Sequence, residues 1–147
     1  MRRSLRKDQK GMALVVALIM LLVLTLIGMS SISSSYYETK ISGNERFGAA
    51  AFYAAKGGVE VGLRQLPILT AYSNNIGSDE TYRSGGITDG SPQPLKYLGT
   101  MARSGYDINW EFTRYQINAT GQSFGATKEI EVQVSMGPYA AGTQYNN

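Results

Sequence analysis

An uncharged stretch from Met12 to Met29 limits what this chain can become more than any other feature. Thr25 is its only clearly polar side chain, and residues 30–32 extend the stretch further. A helix of ~20 apolar residues crosses the ~30 Å hydrocarbon layer of a bilayer. Because lipid offers no hydrogen-bond partners, a helix is the form in which such an open segment spans a membrane. The sequence therefore predicts a transmembrane helix over residues 12–33.

Basic residues precede this stretch and orient it. Residues 1–11 contain one acid, Asp8, and five cations: Arg2, Arg3, Arg6, Lys7 and Lys10. Positive charge beside a first apolar span keeps that end in the cytoplasm, so the rest of the chain is predicted to lie on the other side. Without residues 1–11, nine Lys and Arg face ten Asp and Glu. That balance leaves no excess positive charge for binding nucleic acid.

Three interpretations of this N-terminus compete. A secretory signal peptide has a shorter apolar region followed by a small-x-small cleavage site, whereas the apolar run here is too long and is followed by Ser-Ser-Ile-Ser-Ser-Ser-Tyr-Tyr. A plain membrane anchor fits the hydropathy and remains open. In the third interpretation a protease cuts at Gly11, which lies between the basic leader and the apolar run. The leader, residues 1–11, would then be removed and the helix retained.

The third arrangement resembles the class III signal of type IV pilins and type II secretion pseudopilins. Residues 10 to about 66 more closely resemble the PilX-type minor pilins of type IV pili. The motifs are Lys10-Gly11, Leu24-Thr25-Leu26, Gly43-Asn44-Glu45-Arg46 and Ala51-Phe52-Tyr53-Ala54-Ala55. The resemblance implies cleavage by prepilin peptidase between Gly11 and Met12, and methylation of the new Met12 amine. It also implies that apolar residues of the first helix contact other subunits, among them Leu14, Val15, Val16, Leu18 and Leu22.

Two positions depart from the family pattern. Major pilins carry a glutamate at the fifth position after cleavage, where this chain has Val16. A carboxylate in lipid costs ~3 kcal/mol or more unless it is paired, so this chain avoids that cost. It also lacks an acid to pair with a neighbour's amine, which favours a minor subunit. Lys56 stands where the family usually has glutamate after Ala-Ala.

The resemblance implies that the protein is a minor pilin that primes pilus assembly and lies at or near the tip. It would serve adhesion and motility. The implied partners are other minor pilins, the major pilin, prepilin peptidase, the inner-membrane assembly platform and a PilY-type tip adhesin. The subunit would be a single-pass inner-membrane protein with a periplasmic head, and later part of the surface pilus. A GspK-like minor pseudopilin of a type II secretion system is the near alternative. A bitopic membrane protein with an extracytoplasmic binding or scaffold domain is the distant one.

Residues 34–66 are predicted to continue the helix beyond the membrane. Tyr37, Ile41 and Asn44 begin a series at steps of three and four that continues with Gly48, Ala51, Ala55, Val59, Gly62 or Leu63, and Leu66. Glu60 and Arg64 have the spacing of an exposed ion pair. Pro67 supplies a stop. The paired glycines Gly57-Gly58 favour close packing against a sheet over bending of the helix.

The remaining residues, 67–147, are predicted to form a globular head. Residues 68–103 have loop composition, except that Leu95-Lys96-Tyr97-Leu98 fits either a short strand or a helical turn. Apolar and polar residues then alternate over three segments, about 106–112, 114–120 and 128–136, which predicts an antiparallel meander. The apolar face of such a sheet must pack against another element, and the outer half of the helix is the only candidate. The fold class is therefore α+β and pilin-like: a long helix whose second half packs on an antiparallel sheet of three or more strands.

The composition argues against catalysis. The chain has no His and no Cys, which removes the commonest general base and the thiolate ligands. Asp79, Glu80 and Asp89 carry oxygen ligands, but their spacing fits no calcium loop, so we expect solvated acids. Asn118-Ala119-Thr120 matches a glycosylation sequence and lies in a predicted strand. We predict a structural protein without cofactor or metal.

Overall fold

A computed structural model describes residues 5–142, with side chains from residue 11 onward. The first four residues of the leader and residues 143–147 of the tail lie outside the described residues. Two compact units divide the chain, residues 1–43 and residues 44–147.

A single helix, α1 (Leu5–Gln65), occupies the N-terminal part of the chain. Uninterrupted helix-compatible residues and the absence of proline before position 67 account for its length. It ends where expected, because Pro67 disfavours helix at the residue before it. The Ile68 N–H donates to the Gln65 carbonyl at 2.9 Å, which closes the last turn. The long helix predicted from the apolar run and the three-four periodicity is confirmed.

Five antiparallel strands follow: β1 (Ser73–Asn75), β2 (Glu80–Ser84), β3 (Lys96–Met101), β4 (Trp110–Ser123) and β5 (Ala126–Ala140). The central strand is β4. Its partners on one side are β2, opposite residues 119–123, and β3, opposite residues 112–116. On the other side β5 pairs with it over nearly its whole length. The short strand β1 extends the sheet beyond β2.

The strands differ from the predicted boundaries in two places. The predicted loop 68–103 contains β1, β2 and β3. These strands are three to six residues long and partly exposed, so they lack the long alternation that reveals a strand. The predicted strands 106–112 and 114–120 are one strand, β4, with residues 106–109 preceding it. A register irregularity between Glu111 and Thr113 shifts the alternation of apolar and polar residues. In the sequence, one strand therefore has the pattern of two.

The core lies between β4 and residues 51–62 of α1. The glycines of the helix show which residues face each other. A Cβ atom added to Gly62 would lie 2.8 Å from Ile117, and one added to Gly58 would lie 3.1 Å from Ala119. One at Gly121 would overlap the backbone of Ala51 and Ala55. Sequence numbers rise along β4 as they fall along α1, so strand and helix run antiparallel. The prediction of an α+β fold, with the helix packed on an antiparallel sheet, is confirmed.

Small residues make this contact possible. Ala51, Ala54, Ala55 and Val59 are buried on the helix side, and Ile117 and Ala119 on the sheet side. The core cluster continues to Leu95, with Leu66, Leu69, Tyr72, Ile130, Val132 and Val134 packed around it. Close packing at Gly58 agrees with the interpretation preferred for Gly57-Gly58. Gly57 itself meets only Ile76 at an ordinary distance.

Candidate membrane and assembly surface

The apolar side chains of the first unit face outward. Large apolar residues from Met12 to Ile32 are between 45% and 73% exposed. α1 is long and apolar enough to cross a membrane, with a mean hydropathy of 2.9 in its most apolar window and none of that window buried. A water-soluble surface rarely carries so large a continuous apolar area. This segment therefore needs lipid or other protein chains around it.

Three hydroxyls within and just after this segment donate to carbonyls of the helix itself. The Thr25 hydroxyl donates to the carbonyls of Leu21 and Leu22, at 2.9 and 2.8 Å. The Ser31 and Ser33 hydroxyls likewise each bond the carbonyl four residues back, at 3.1 and 3.0 Å. Moving an unpaired hydroxyl from water into an apolar medium costs on the order of several kcal/mol. These three hydroxyls can therefore enter lipid or a packed fibre with their hydrogen atoms already bonded.

The predicted cleavage residues lie on this helix. Gly11 is exposed, and a Cβ built there meets no atom within 4 Å. Met12 is also exposed, on the turn that begins the apolar stretch. The structure leaves both residues accessible, but cleavage after Gly11 and methylation of Met12 stay predictions.

The five predicted assembly residues are all exposed on α1. At 100° per residue, Leu14, Val15, Leu18 and Leu22 fall within one arc of about 100°, the width of a single helix face. Val16 falls outside that arc. The fifth position after Gly11 thus presents an apolar side chain on a different face, and no acid replaces the missing glutamate there. Their role in assembly stays a prediction.

An aromatic and basic cluster follows the apolar stretch, and sequence reasoning missed it. The rings of Tyr36 and Tyr37 meet edge to face with centroids 5.9 Å apart, and the Lys40 ammonium lies 4.7 Å from the centre of the Tyr36 ring. Tyrosine and lysine are enriched where a membrane helix leaves the hydrocarbon. The signal was present as two consecutive tyrosines a few residues after Ile32.

One partly buried hydroxyl of the head bonds to the helix backbone. The Tyr72 hydroxyl donates to the Gly58 carbonyl at 2.6 Å. Burial, and to a smaller extent the neighbouring Tyr82, raises the pKa of Tyr72 to about 12. The neutral phenol is therefore the form that the head requires. Burial also raises the pKa of Tyr115, with smaller contributions from Tyr139 and Tyr97.

The acids of the 73–91 region support turns. Asp79 accepts a hydrogen bond from the Ser78 hydroxyl at 2.6 Å, and Asp89 accepts one from the Gly86 N–H at 2.6 Å. Within the part of the chain that the structure describes, no three Asp, Glu, His or Cys side chains come together as a metal site. The sequence Asn118-Ala119-Thr120 lies in β4, where the Thr120 hydroxyl donates to the Gly85 carbonyl at 2.7 Å in a buried position.

The Glu60–Arg64 pair was predicted and is present. The guanidinium of Arg64 lies 3.3 Å from the Glu60 carboxylate, with side chains 78% and 61% exposed. Solvent screens such pairs, and they contribute little to stability.

Comparisons with known proteins agree with this architecture. Residues 10–60 match the family model described as PilX N-terminal. Neither curated proteins nor solved structures give a match. The matched residues make up about a third of the chain and include the apolar stretch and the first part of the buried helix face. The match confirms the resemblance to PilX-type minor pilins and points to a minor pilin of a type IV pilus, a class of structural subunit.

Proposed function

We propose that this protein is a minor pilin that primes assembly of a type IV pilus and is incorporated at or near its tip. The observation that carries the proposal is one helix with two different surfaces. Residues 12–32 expose large apolar side chains, whereas residues 51–62 are covered by the head's own sheet. The PilX N-terminal match covers the first stretch and the second as far as residue 60. A subunit that moves from lipid into a fibre of packed helices needs this arrangement.

The first step of the proposed function is insertion and processing. The leader stays in the cytoplasm because of its charge, and the head lies in the periplasm. Prepilin peptidase cuts after Gly11 and methylates the Met12 amine. The exposed position of Gly11 is compatible with access by an enzyme.

The second step is transfer of the helix from the inner membrane into the fibre. Leu14, Val15, Leu18 and Leu22 would pack against the helices of other minor pilins and the major pilin. Val16 offers no carboxylate to a neighbour's amine. Such a subunit is tolerated best where no neighbouring amine needs neutralising, which is the tip. The assembly platform and a PilY-type tip adhesin are the further partners in this proposal.

A deletion strain tests the priming role. We expect far fewer surface fibres after deletion, with recovery on expression of the wild-type chain. A Leu18→Lys variant places an unpaired charge in the apolar face at a cost of about 3 kcal/mol, and it should fail to restore fibres. Leu18→Ile, which keeps the apolar surface, should restore them. Normal fibre numbers in the deletion strain would contradict priming.

Two alternatives predict other outcomes in the same strain. A minor pseudopilin would leave fibres unchanged and abolish secretion through a type II system. A bitopic anchor with a binding or scaffold domain would keep its leader and stay in the membrane fraction when fibres are sheared from the cells. Labelling of sheared fibres with an antibody to the head distinguishes tip incorporation from both.

A further inference from the structure

Between Ala126 and Met136 the outer edge of β5 has no strand beside it, and it is the longest such edge in the described residues. β5 has 15 residues and pairs only with β4. On the other side of the sheet the strands are short, three to six residues each. Proteins usually blunt an exposed edge with short strands, proline, bulges or charged side chains, and this strand carries the charges of Lys128, Glu129 and Glu131. From Ala126 to Met136, β5 has no proline, and its register with β4 is regular down to Thr113.

The direction of the free backbone groups follows from β4. The Asn118 carbonyl accepts a hydrogen bond from the Gly85 N–H, so the Asn118 backbone points away from β5. Glu131 is opposite Asn118, and in an antiparallel pair of this kind both residues direct their backbone groups outward. Every second residue of β5 does the same. Glu129, Glu131, Gln133 and Ser135 therefore offer N–H and C=O groups at the free edge.

An apolar strip borders this edge on the helix side. Ile130, Val132 and Val134 are only partly buried and pack against the core cluster. On α1, a Cβ at Gly48 would face Lys128 of β5. Phe52 and Leu63 lie four and fifteen residues further on, along the same flank of the helix. Their side chains are 46% and 38% exposed. One more strand beside β5 would cover this strip.

The charges on the other face indicate which kind of strand would fit. The Glu129 carboxylate is already engaged, since it accepts from the Ile87 N–H at 2.9 Å and from the Asn118 amide at 3.3 Å. Glu131 is exposed and has no hydrogen-bond or ion-pair partner within residues 11–142. A second copy of this chain would bring the same acids to the shared edge. A chain with Lys or Arg opposite Glu131 would neutralise it.

We infer that the β5 edge binds an extended segment of another protein as an added antiparallel strand. Its apolar side chains alternate with polar ones, and a basic side chain lies opposite Glu131. Backbone hydrogen bonds supply affinity and the alternate side chains supply selectivity in this mode of recognition. The inference does not depend on fibre assembly, because a membrane-anchored receptor would present the same edge.

Two variants at one position test the backbone contribution. Gln133→Pro removes an outward N–H and adds a ring at the edge, where proline leaves the bonds to β4 intact. Gln133→Thr keeps the N–H and is the control. The probe is a fluorescein-labelled nine-residue peptide in which Val alternates with Thr around a central Lys. Its anisotropy is measured with the full-length protein in dodecylmaltoside micelles.

We expect saturable binding to the wild-type chain, weakened about tenfold or more by Gln133→Pro and by less than about twofold by Gln133→Thr. Glu131→Lys should reverse the preference between this peptide and one with a central Glu, by about two- to fivefold in each direction. If Gln133→Pro does not fold, the Glu131→Lys variant still tests whether the edge of β5 binds the peptide.

Three binding results would overturn the inference. They are absence of peptide binding, equal binding by Gln133→Pro and Gln133→Thr, and equal preference of wild-type and Glu131→Lys chains for the two peptides. A wild-type dimer that Gln133→Pro converts to monomer in sedimentation would identify a second copy as the occupant and would also contradict it.

Discussion

Two stretches of α1 show how one helix can present opposite surfaces. Residues 12–32 contain Leu, Ile, Val and Met, all with exposed side chains, whereas residues 51–62 are rich in Ala and Gly and are buried on one face. Large side chains provide area for lipid or other subunits. Small ones bring the helix backbone within reach of a strand. The difference indicates that hydrophobicity alone does not identify the core of this chain: size and spacing do.

The strongest test of this contrast is Gly121→Ala. A Cβ at Gly121 would overlap the backbone of Ala51 and Ala55, so helix and strand would have to separate. We expect a loss of about 3 kcal/mol in the free energy of unfolding. Urea unfolding of the full-length protein in detergent, followed by the fluorescence of Trp110, the single tryptophan, measures it. Gly90→Ala is the control, because nothing lies within 4 Å of its Cβ. Equal stability of the two variants would contradict the close contact.

Alkaline pH tests the same contact through Tyr72. Its pKa is about 12 in the folded protein and near 10 in the unfolded chain. Its contribution is therefore complete below pH 10 and is lost as the pH rises through 12. We expect the stability difference between wild type and Tyr72→Phe to fall by on the order of 2 kcal/mol across that window. Urea unfolding at pH 8 to 12 measures it. A difference independent of pH would exclude Tyr72 as the titrating group.

In the first unit, an added methyl group should stabilise the helix, whereas at Gly121 it should destabilise the head. A Cβ at Gly43 meets nothing within 4 Å, and Ala is a better helix former than Gly by about 1 kcal/mol. Gly43→Ala should slow hydrogen exchange of the neighbouring amides in the detergent-solubilised protein. Faster exchange would mean that the glycine is needed for a contact within the chain.

The smallest effect is expected at Glu60. Its ion pair with Arg64 is exposed on both sides, so Glu60→Gln should lower the free energy of unfolding by about 0.5 kcal/mol or less. The change should vanish in high salt, and unfolding with and without added NaCl measures it. A larger, salt-independent loss would indicate a packing role for Glu60.

Long elements with a regular period could be predicted from the sequence, and short ones could not. The apolar run, the three-four spacing to Leu66 and the alternation around Val132 revealed α1 and β5. β1, β2 and β3 hold the sheet mainly through backbone bonds, which leave no pattern in side chains. The irregularity at Glu111 divided β4 into two apparent strands. Gly11 and Val16 were found by resemblance, whereas the Tyr36–Lys40 cluster needed the helix geometry.

The mass of the mature N-terminus tests the central claim most directly. The protein is purified from membranes of its native host and its N-terminal peptide is measured by mass spectrometry. The account predicts a chain that begins at Met12 with a methylated amine, and a Gly11→Leu variant that keeps residues 1–11 while its head folds normally. A wild-type chain that still carries Arg2 and Arg3 would contradict it.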